Sequence, residues 1–522
     1  MSLSTFSGLF IAKRGVQSAR VRLQITGQNM TNVNTDGYTK QSVDTYSIEP
    51  SQGNMRLAGP SLQVGEGVSS DRTSQSRDPY LDILYRGKSS EYYQANTTYD
   101  TLTSLGKIID ETINDGICSR LSDLEAQIQT YAKTSSDTDL ESTVKNSAKL
   151  LAQQFNASAK KLNELRSNTE GSIENAVKTV NGLLDSIASY NKQIKSAELS
   201  GSSALEVKDK LNSAIDELSK YGKIKVEYGT ESAGVTTVTK LKISLENDDG
   251  STKTLVDGGD YNTLSASKNA STGDYTINWK ETSSGTVSAT DFSSGTIGAY
   301  RTMLNDDGEF DNMTGTGTTT TRGIGYYQKI LDKMANQFAK VMNSQNSTDS
   351  AGTNKPLFES SDSSNSTVTA SNIAITKKWE TASVYLTTTK KAPTTGSSGT
   401  TSDASNLLSM IDALAQKTSF TTDANNSPSS STALFESSID TYMSQVTNTV
   451  FALQAGDVKR NRETADSELS DTQQSRDSVS GVDINEEGIN MIQYNQAFSA
   501  SSRFMTTINE MLDTLINQMG VI

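Results

Sequence analysis

Apolar and small residues recur near both ends of the chain at steps that alternate between three and four. Near the C-terminus they are Met491, Tyr494, Phe498, Ser501, Met505, Ile508, Leu512, Leu515, Met519 and Ile522. Near the N-terminus they are Leu9, Ala12, Val16, Ala19, Leu23, Thr26, Met30 and Val33. This spacing is typical of a coiled-coil seam, so each end is predicted to be a helix. Two such stripes around several hundred residues indicate that the ends pack together and serve assembly.

The energy available to these terminal helices is small. Ordering the backbone costs about 1–2 kcal/mol per residue, while a large apolar side chain returns roughly 1.5–3 kcal/mol when it is fully buried. An isolated helix, or even a pair, is therefore marginal in water. We expect both ends to be loose in the free monomer and to become ordered against neighbouring subunits.

The periodicity changes along the central part of the chain. Residues 38–85 lack a sustained period and are predicted to be looped or extended, whereas helical spacing dominates from about 88 to 222. Strand-like alternation fills residues 223–295. Helical spacing returns in residues 323–343, 403–416 and 433–478, with strands expected near Ile373, Ile375, Val384 and Leu386.

These patterns predict an α+β fold that is mainly α, with terminal coiled-coil helices, a discontinuous bundle of long helices and an inserted antiparallel β domain. The predicted domains are a terminal assembly domain of residues 1–60 and 480–522, a helical domain of 61–222, 296–358 and 403–479, a β domain of 223–295, and a Ser/Thr-rich segment of 359–402. We expect the β domain to project from the helical domain.

Composition disfavours several classes of function. The net charge of −14 argues against nucleic acid and anionic membrane surfaces as partners. No apolar run is long enough to span a bilayer, so no membrane insertion is predicted. The chain has no histidine, which removes the commonest general base and metal ligand, and Cys118 is its single cysteine. We predict no catalytic, cofactor or metal site, and a protein that is not an enzyme.

The sharpest local signal lies between Thr26 and Gln41. Asparagines cap free carbonyls and tolerate left-handed conformations, and Gly37 permits a positive φ, so the stretch predicts a helix end and a turn. It also resembles the N-terminal signature of the bacterial flagellar axial proteins, in a form similar to that of their hook-associated members. The residues that carry this resemblance are Asn29, Asn32, Thr35, Gly37 and Tyr38.

Three further stretches strengthen the resemblance to the hook-associated members. Residues 65–81 are similar to the segment that leads into the first long helices of those proteins, and residues 493–498 to the core of their last helix. Residues 480–487 resemble the segment before that helix. There Asn485 is expected to cap the helix, while Glu486 and Glu487 complement the positive end of its dipole.

The resemblance implies a structural subunit at the junction between flagellar hook and filament, needed for filament assembly. It implies self-assembly into a helical ring, with the hook protein, the next hook–filament junction protein and an export chaperone as partners. It places the protein in the extracellular part of the bacterial flagellum. Residues 1–10 lack the pattern of a cleavable signal peptide, which fits flagellar type III export.

The predicted assembly contact lies in the two seams. Its residues are Leu9, Val16, Leu23, Met30, Met491, Phe498, Met505, Ile508, Leu512 and Leu515. Two alternatives stay open at this point. Another flagellar axial protein, such as a hook or distal rod subunit, would share the N-terminal signature. A surface-exposed adhesin would instead use the central insertion.

Overall fold

The computed structural model describes most of the chain. The described ranges are 7–48, 65–109, 116–233, 236–247, 250–270, 272–281, 287–290, 292–310, 321–346, 355–362, 366–389, 403–422 and 433–518. Met519 and Ile522 of the predicted C-terminal stripe lie outside them, and the side chain of Leu515 is also outside the description.

The helices follow the predicted periodicity closely. They are α1 (Ser7–Thr31), α2 (Pro79–Ile109), α3 (Ile117–Lys133), α4 (Thr138–Leu199), α5 (Leu205–Ser219), α6 (Gly295–Asn305), α7 (Ile324–Asn346), α8 (Lys377–Thr381), α9 (Ser405–Ala415), α10 (Ile439–Gln445), α11 (Ala452–Ser480) and α12 (Ile484–Asp513). Short π-helical segments, Val446–Phe451 and Thr514–Gln518, precede α11 and follow α12. At 62 residues α4 is the longest of these helices. Its first turn is capped by the Asp137 carboxylate, which accepts from the Asp139 N–H at 2.9 Å.

All strand pairings of the described sheets are antiparallel. The strands are β1 (Gln41–Ser47), β2 (Val68–Gln75), β3 (Ile224–Ala233), β4 (Thr236–Glu246), β5 (Thr252–Asp257), β6 (Asp260–Tyr261), β7 (Thr263–Lys268), β8 (Tyr275–Lys280), β9 (Val287–Thr290), β10 (Phe358–Ser360), β11 (Ile373–Ile375), β12 (Thr418–Thr421) and β13 (Ala433–Ser437). The predicted β domain forms a β3-β4-β5-β6 sheet and a β7-β8-β9 sheet, and the other strands pair as β1-β2, β10-β11 and β12-β13.

The body of the protein, meaning the described chain outside α1, α12 and the β1-β2 pair, contains two apolar cores. Helix α4 contributes to both. Its first half, with Leu151 and Phe155, joins α3, α7, α9 and α10 in one core. Its second half, from Ile173 onward, joins α5 and the two larger sheets in the other. The strands therefore pack directly on the long helix. Asn191 of α4 is 4% exposed, so it faces inward rather than solvent.

Several predicted boundaries were wrong. Helix α2 begins at Pro79 rather than near 88, because proline is well tolerated in the first turn of a helix. The helix expected over 433–478 starts only at Ile439, since residues 433–437 pair as β13 with β12. The strand expected at Ile373 and Ile375 is confirmed as β11. Leu386 is buried but lies outside any strand.

Candidate assembly interface

Helices α1 and α12 lie antiparallel and meet in a regular ladder. Each step of seven residues forward along α1 is matched by seven residues backward along α12, as a heptad seam requires. From the N-terminal end of α1, the four rungs are Gly8 with Ile508, Gly15 with Ser501, Arg22 with Tyr494, and Asn29 with Glu487. A Cβ at Gly8 would lie 3.0 Å from Ile508 Cδ1, and the Arg22 guanidinium lies 5.3 Å from the Tyr494 ring centroid.

The predicted seam residues mostly face this ladder within one chain. Half-buried or nearly so are Leu9, Val16, Leu23, Met30, Phe498, Met505 and Ile508. Leu512 is 9% exposed, whereas Met491 is 37% exposed at the margin of the seam. Their predicted contact with neighbouring subunits stays a prediction, because the same side chains already serve the pairing of α1 with α12.

A second apolar face of α12 lies outside the seam with α1 and consists of exposed side chains. Ile489 is 67% exposed, Ile492 63%, Met511 57% and Phe504 44%. At about 100° per residue Ile489 and Ile492 fall opposite the seam, whereas Phe504 and Met511 fall beside it, next to Met505 and Leu512. Sequence reasoning missed them because it followed a single stripe. The signal was present as a second set of apolar positions in the same helix.

Asn29, near the C-terminal end of α1, is the polar residue that connects the elements around the last rung of the ladder. It is 1% exposed, yet every hydrogen-bonding site of its amide has a partner. Oδ1 accepts from the Tyr38 hydroxyl at 2.8 Å and from the Gln41 N–H at 3.0 Å. Nδ2 donates to the Gln41 carbonyl at 2.9 Å and to Glu487 Oε1 at 3.2 Å. One side chain therefore joins α1, β1 and α12.

The rest of the predicted motif ends the helix as expected. Asn32 Nδ2 donates to the Gln28 carbonyl at 2.9 Å, and Asn32 Oδ1 accepts from the Thr35 hydroxyl at 3.1 Å. Gly37 has a φ of +74°, a conformation that glycine adopts at little cost. This turn brings Tyr38 back onto Asn29. The motif thus folds as one local unit that positions the hydrogen-bond partners of Asn29.

Acidic neighbours and burial act on Tyr38. Burial, followed by the charges of Asp209, Glu206 and Glu487, raises the pKa of the Tyr38 hydroxyl to about 12. The hydroxyl is therefore neutral across the physiological range and remains a donor to Asn29. Burial and the acidic neighbours therefore keep the Tyr38 hydroxyl in a single protonation state.

The start of α12 differs from its prediction in one respect. The N-cap is Asp483, whose carboxylate accepts from the Asn485 N–H at 2.8 Å and the Glu486 N–H at 3.4 Å, so the assignment of the cap to Asn485 was wrong. Aspartate caps as well as asparagine does. Glu486 forms an ion pair with Lys40 at 2.8 Å, and Glu487 is 2% exposed. Both glutamates therefore do more than complement the helix dipole.

Comparison with known proteins finds flagellar relatives of the chain. Residues 102–358 match the model of the flagellar hook-associated protein FlgK helical domain, and residues 473–519 match the C-terminal model of the flagellar basal body rod FlgEFG proteins. Flagellar hook-associated protein 1 of Bacillus subtilis is 26% identical over 545 aligned residues, which cover 99% of each chain. The chain is similar along almost its whole length to a flagellar hook-associated protein.

More distant relatives agree with this assignment. Flagellar hook-associated protein 1 of Salmonella typhimurium is 21% identical over 64% of this chain and 55% of its own length. The protein of the same name from Escherichia coli is 21% identical over 64% of this chain and 56% of its own length. The flagellar hook junction protein FlgK of Burkholderia pseudomallei aligns with 21% identity over 53% of this chain and 46% of its own, at a TM-score of 0.43, too low to establish a shared arrangement.

Similarity to these structural proteins disfavours both open alternatives, a surface adhesin and another axial subunit. The match to the rod-type C-terminal model falls on the end of α11 and on α12, the part that hook, rod and hook-associated proteins would share. The match to the FlgK helical domain covers the body instead. A hook or rod subunit is therefore not favoured. This family is one of structural flagellar proteins that assemble into the axial structure.

Polar contacts connect the terminal helices of this hook-associated protein to its body. Asp209 of α5 accepts from the Gln75 side chain at 2.8 Å and from the Thr39 N–H at 3.4 Å. The Lys40 N–H donates to the Ser480 carbonyl at 2.9 Å, at the end of α11. Neither apolar core contains a residue of α1 or α12. The terminal pair is therefore attached by hydrogen bonds rather than by shared apolar packing.

An ion network lies beside this attachment. Asp216 of α5 accepts from Arg86 of α2 and from Arg476 of α11, each at 2.7 Å. Arg77 forms a two-point pair with Asp82, both contacts at 2.9 Å. Across the described ranges, no group of three or more acidic or thiol side chains is placed to hold a metal ion. No helix among the described residues combines the length and apolarity needed to cross a membrane.

Proposed function

We propose that this chain is the structural subunit of the junction between the flagellar hook and the filament, and that filament growth requires it. The observation that carries the proposal is the pair α1–α12, which satisfies its own seam and still exposes a second apolar face. Similarity along almost the whole length to a flagellar hook-associated protein 1 supports the same conclusion.

The exposed face of α12 is the proposed contact between subunits. Aliphatic and aromatic side chains that are between 44% and 67% exposed outside the seam of a helix mark an interaction surface. We place copies of the same chain against it, so that terminal pairs from successive subunits form an inner tube. The helical body forms the next layer and carries load along the axis, with the β domain outermost.

The remaining features of the proposal follow from the family. The hook protein would lie on one side of the ring and the next junction protein on the other. The chain would travel unfolded through the flagellar export apparatus, accompanied by a chaperone and without a cleaved signal peptide, to the extracellular part of the flagellum. We propose no enzymatic activity for it.

Substitution on the exposed face tests the proposal. Ile492→Asp should leave the folded monomer unchanged, because the side chain is 63% exposed, but should abolish filament growth in cells that lack the native protein. Leu199→Asp, at the end of α4 and 52% exposed, is the matched control and should support growth. Motility and electron microscopy of flagella provide the readout.

A truncation extends the test. Removing residues 489–522 should leave the body folded with its cooperative unfolding intact, while the truncated protein fails to join the junction. Immunogold label on the native protein should form a band at the distal end of the hook. Filaments grown with the truncated chain, or label spread along the hook, would contradict the proposal.

A further inference from the structure

Two of the four rungs between α1 and α12 do not distinguish one register from the next. Gly8 and Gly15 are seven residues apart and offer the same notch, and both Ile508 and Ser501 fit against such a notch. A shift of one heptad would therefore exchange these contacts with little loss. Seams built from small residues define their register weakly, as flat repetitive surfaces do.

The fourth rung behaves differently. Asn29 and Glu487 are the most buried members of their two helices, at 1% and 2% exposed. If α12 moved one heptad in either direction, Asn29 Nδ2 would lose the carboxylate. In the native arrangement the other three bonds of the Asn29 amide are already used by Tyr38 and Gln41. A buried amide with a missing partner is costly, because no water replaces the lost bond.

We propose that the Asn29–Glu487 hydrogen bond is the register determinant of the α1–α12 pair. The motif 29–41 positions a rigid hydrogen-bond donor, Asn29 Nδ2, for one particular carboxylate of α12, and the small residues of the seam come into contact once that carboxylate is bound. A single buried polar contact that fixes the register of an otherwise apolar coiled coil is an established physical device. The assignment rests on the geometry of this chain and not on its place in the flagellum.

The chain offers two competing sources of register, the ion pair of Lys40 with Glu486 and the connection that leads into α12. The α11–α12 connection, residues 481–483, is short, and the Lys40 N–H holds its start through the Ser480 carbonyl. Three extended residues span roughly 10 Å, and one heptad of helix rises by about 10.5 Å. A shift of one heptad therefore requires that the Lys40–Ser480 backbone bond breaks and that an adjoining helix end unwinds. The experiment has to separate the ion pair and the connection from the Asn29–Glu487 contact.

Disulfide trapping reads the register directly. In a full-length chain carrying Cys118→Ser, Gly15→Cys with Ser501→Cys reports the native register, because a Cβ at residue 15 would lie 3.3 Å from Ser501 Cβ. Gly8→Cys with Ser501→Cys, and Gly15→Cys with Ile508→Cys, report shifts of one heptad in the two directions. The parent chain should form the native disulfide and neither shifted one.

Adjacent glutamates supply the variant and its control. Glu487→Leu should allow a shifted disulfide to form in amounts comparable to the native one. Glu486→Leu removes the same charge from the exposed side of the same turn and should behave like the parent. A Glu487→Leu chain that forms only the native disulfide would show that the ion pair or the connection sets the register. Equal loss of all three disulfides would make Glu487 a requirement for pairing rather than for register, and would also overturn the proposal.

Discussion

The body and the terminal pair of this protein are stabilised by different chemistry. In the body, the fully buried side chains are large and aromatic, among them Trp379, Tyr442 and Phe338. In the terminal pair, the most buried side chains are an amide and a carboxylate, and the seam is lined by glycine, alanine and serine. Apolar area stabilises without direction, whereas a buried hydrogen bond stabilises only one arrangement. Apolar burial thus stabilises the body, whereas a directional hydrogen bond sets how the two terminal helices are arranged.

This difference is expected to appear in solution. The body has two continuous cores and should unfold cooperatively on its own. The terminal pair contributes no residue to either core, so its order depends on what covers its outer face. The expectation that both ends are loose in the free monomer stays a prediction, and comparing amide exchange in free and assembled protein would test it.

The largest effect should come from the aromatic part of the body. Phe338 is 0% exposed, and its ring lies 4.9 Å from that of Phe358 and 6.2 Å from that of Phe155. Phe338→Ala should lower the free energy of unfolding by about 3–5 kcal/mol, since it removes contacts on several sides and leaves a cavity. Denaturant unfolding followed by circular dichroism measures the loss. Leu512→Ala in the terminal pair, as the control, should leave the main transition in place.

A smaller effect is expected from the buried carboxylate of the body. Glu141 Oε1 accepts from the backbone N–H groups of Tyr385 and Leu386 at 2.6 and 2.9 Å, and Oε2 accepts from the Tyr131 hydroxyl at 3.1 Å. Glu141→Leu should cost roughly 2–4 kcal/mol, because it leaves three buried donors without this acceptor. Glu141→Gln should cost less, as it keeps an acceptor.

That prediction sharpens the comparison between the two regions. Glu141 and Glu487 are both buried carboxylates. Glu141 accepts from the backbone of a loop that packs on an apolar core, whereas Glu487 accepts from a side chain of another helix. Loss of Glu141 should therefore lower the unfolding midpoint of the body. A midpoint that is unchanged by Glu141→Leu would show that the segment around residue 385 is not part of the cooperative unit.

The smallest effect should be the alkaline response of the terminal turn. The pKa of Tyr38 is raised from 10.0 to about 12 in the folded chain, chiefly by burial, so folding favours the neutral hydroxyl. Its contribution is complete below pH 10.0 and is lost as the pH rises from there through about 12. Amide exchange in residues 29–41 should accelerate over that window by more than the base-catalysed rise of an unstructured amide, and Tyr38→Phe should remove this excess. A response that is unaltered in Tyr38→Phe would assign it to another group.

Local signals in the sequence predicted much of this architecture. The seven-residue stripes predicted both terminal helices, and the asparagines and glycine of residues 29–37 predicted where α1 ends. Errors occurred where a local rule had two equivalent answers. Asp483 and Asn485 are both good caps, and only the position of the first helical turn selects between them. Residues 433–437 could continue a helix, but pairing with β12 makes them a strand.

The sequence by itself determined the resemblance to hook-associated proteins, the class of fold and the presence of two matched heptad stripes, because each of these depends on composition, motif and periodicity over short stretches. Only the tertiary structure decided that Asn29 and Glu487, 458 positions apart, share a hydrogen bond, and that α12 keeps a second apolar face uncovered. The physical reason is the sequence separation between the residues that interact. Periodicity reports which side of a helix is apolar, whereas the identity of a buried polar partner depends on where the whole intervening body brings the chain back.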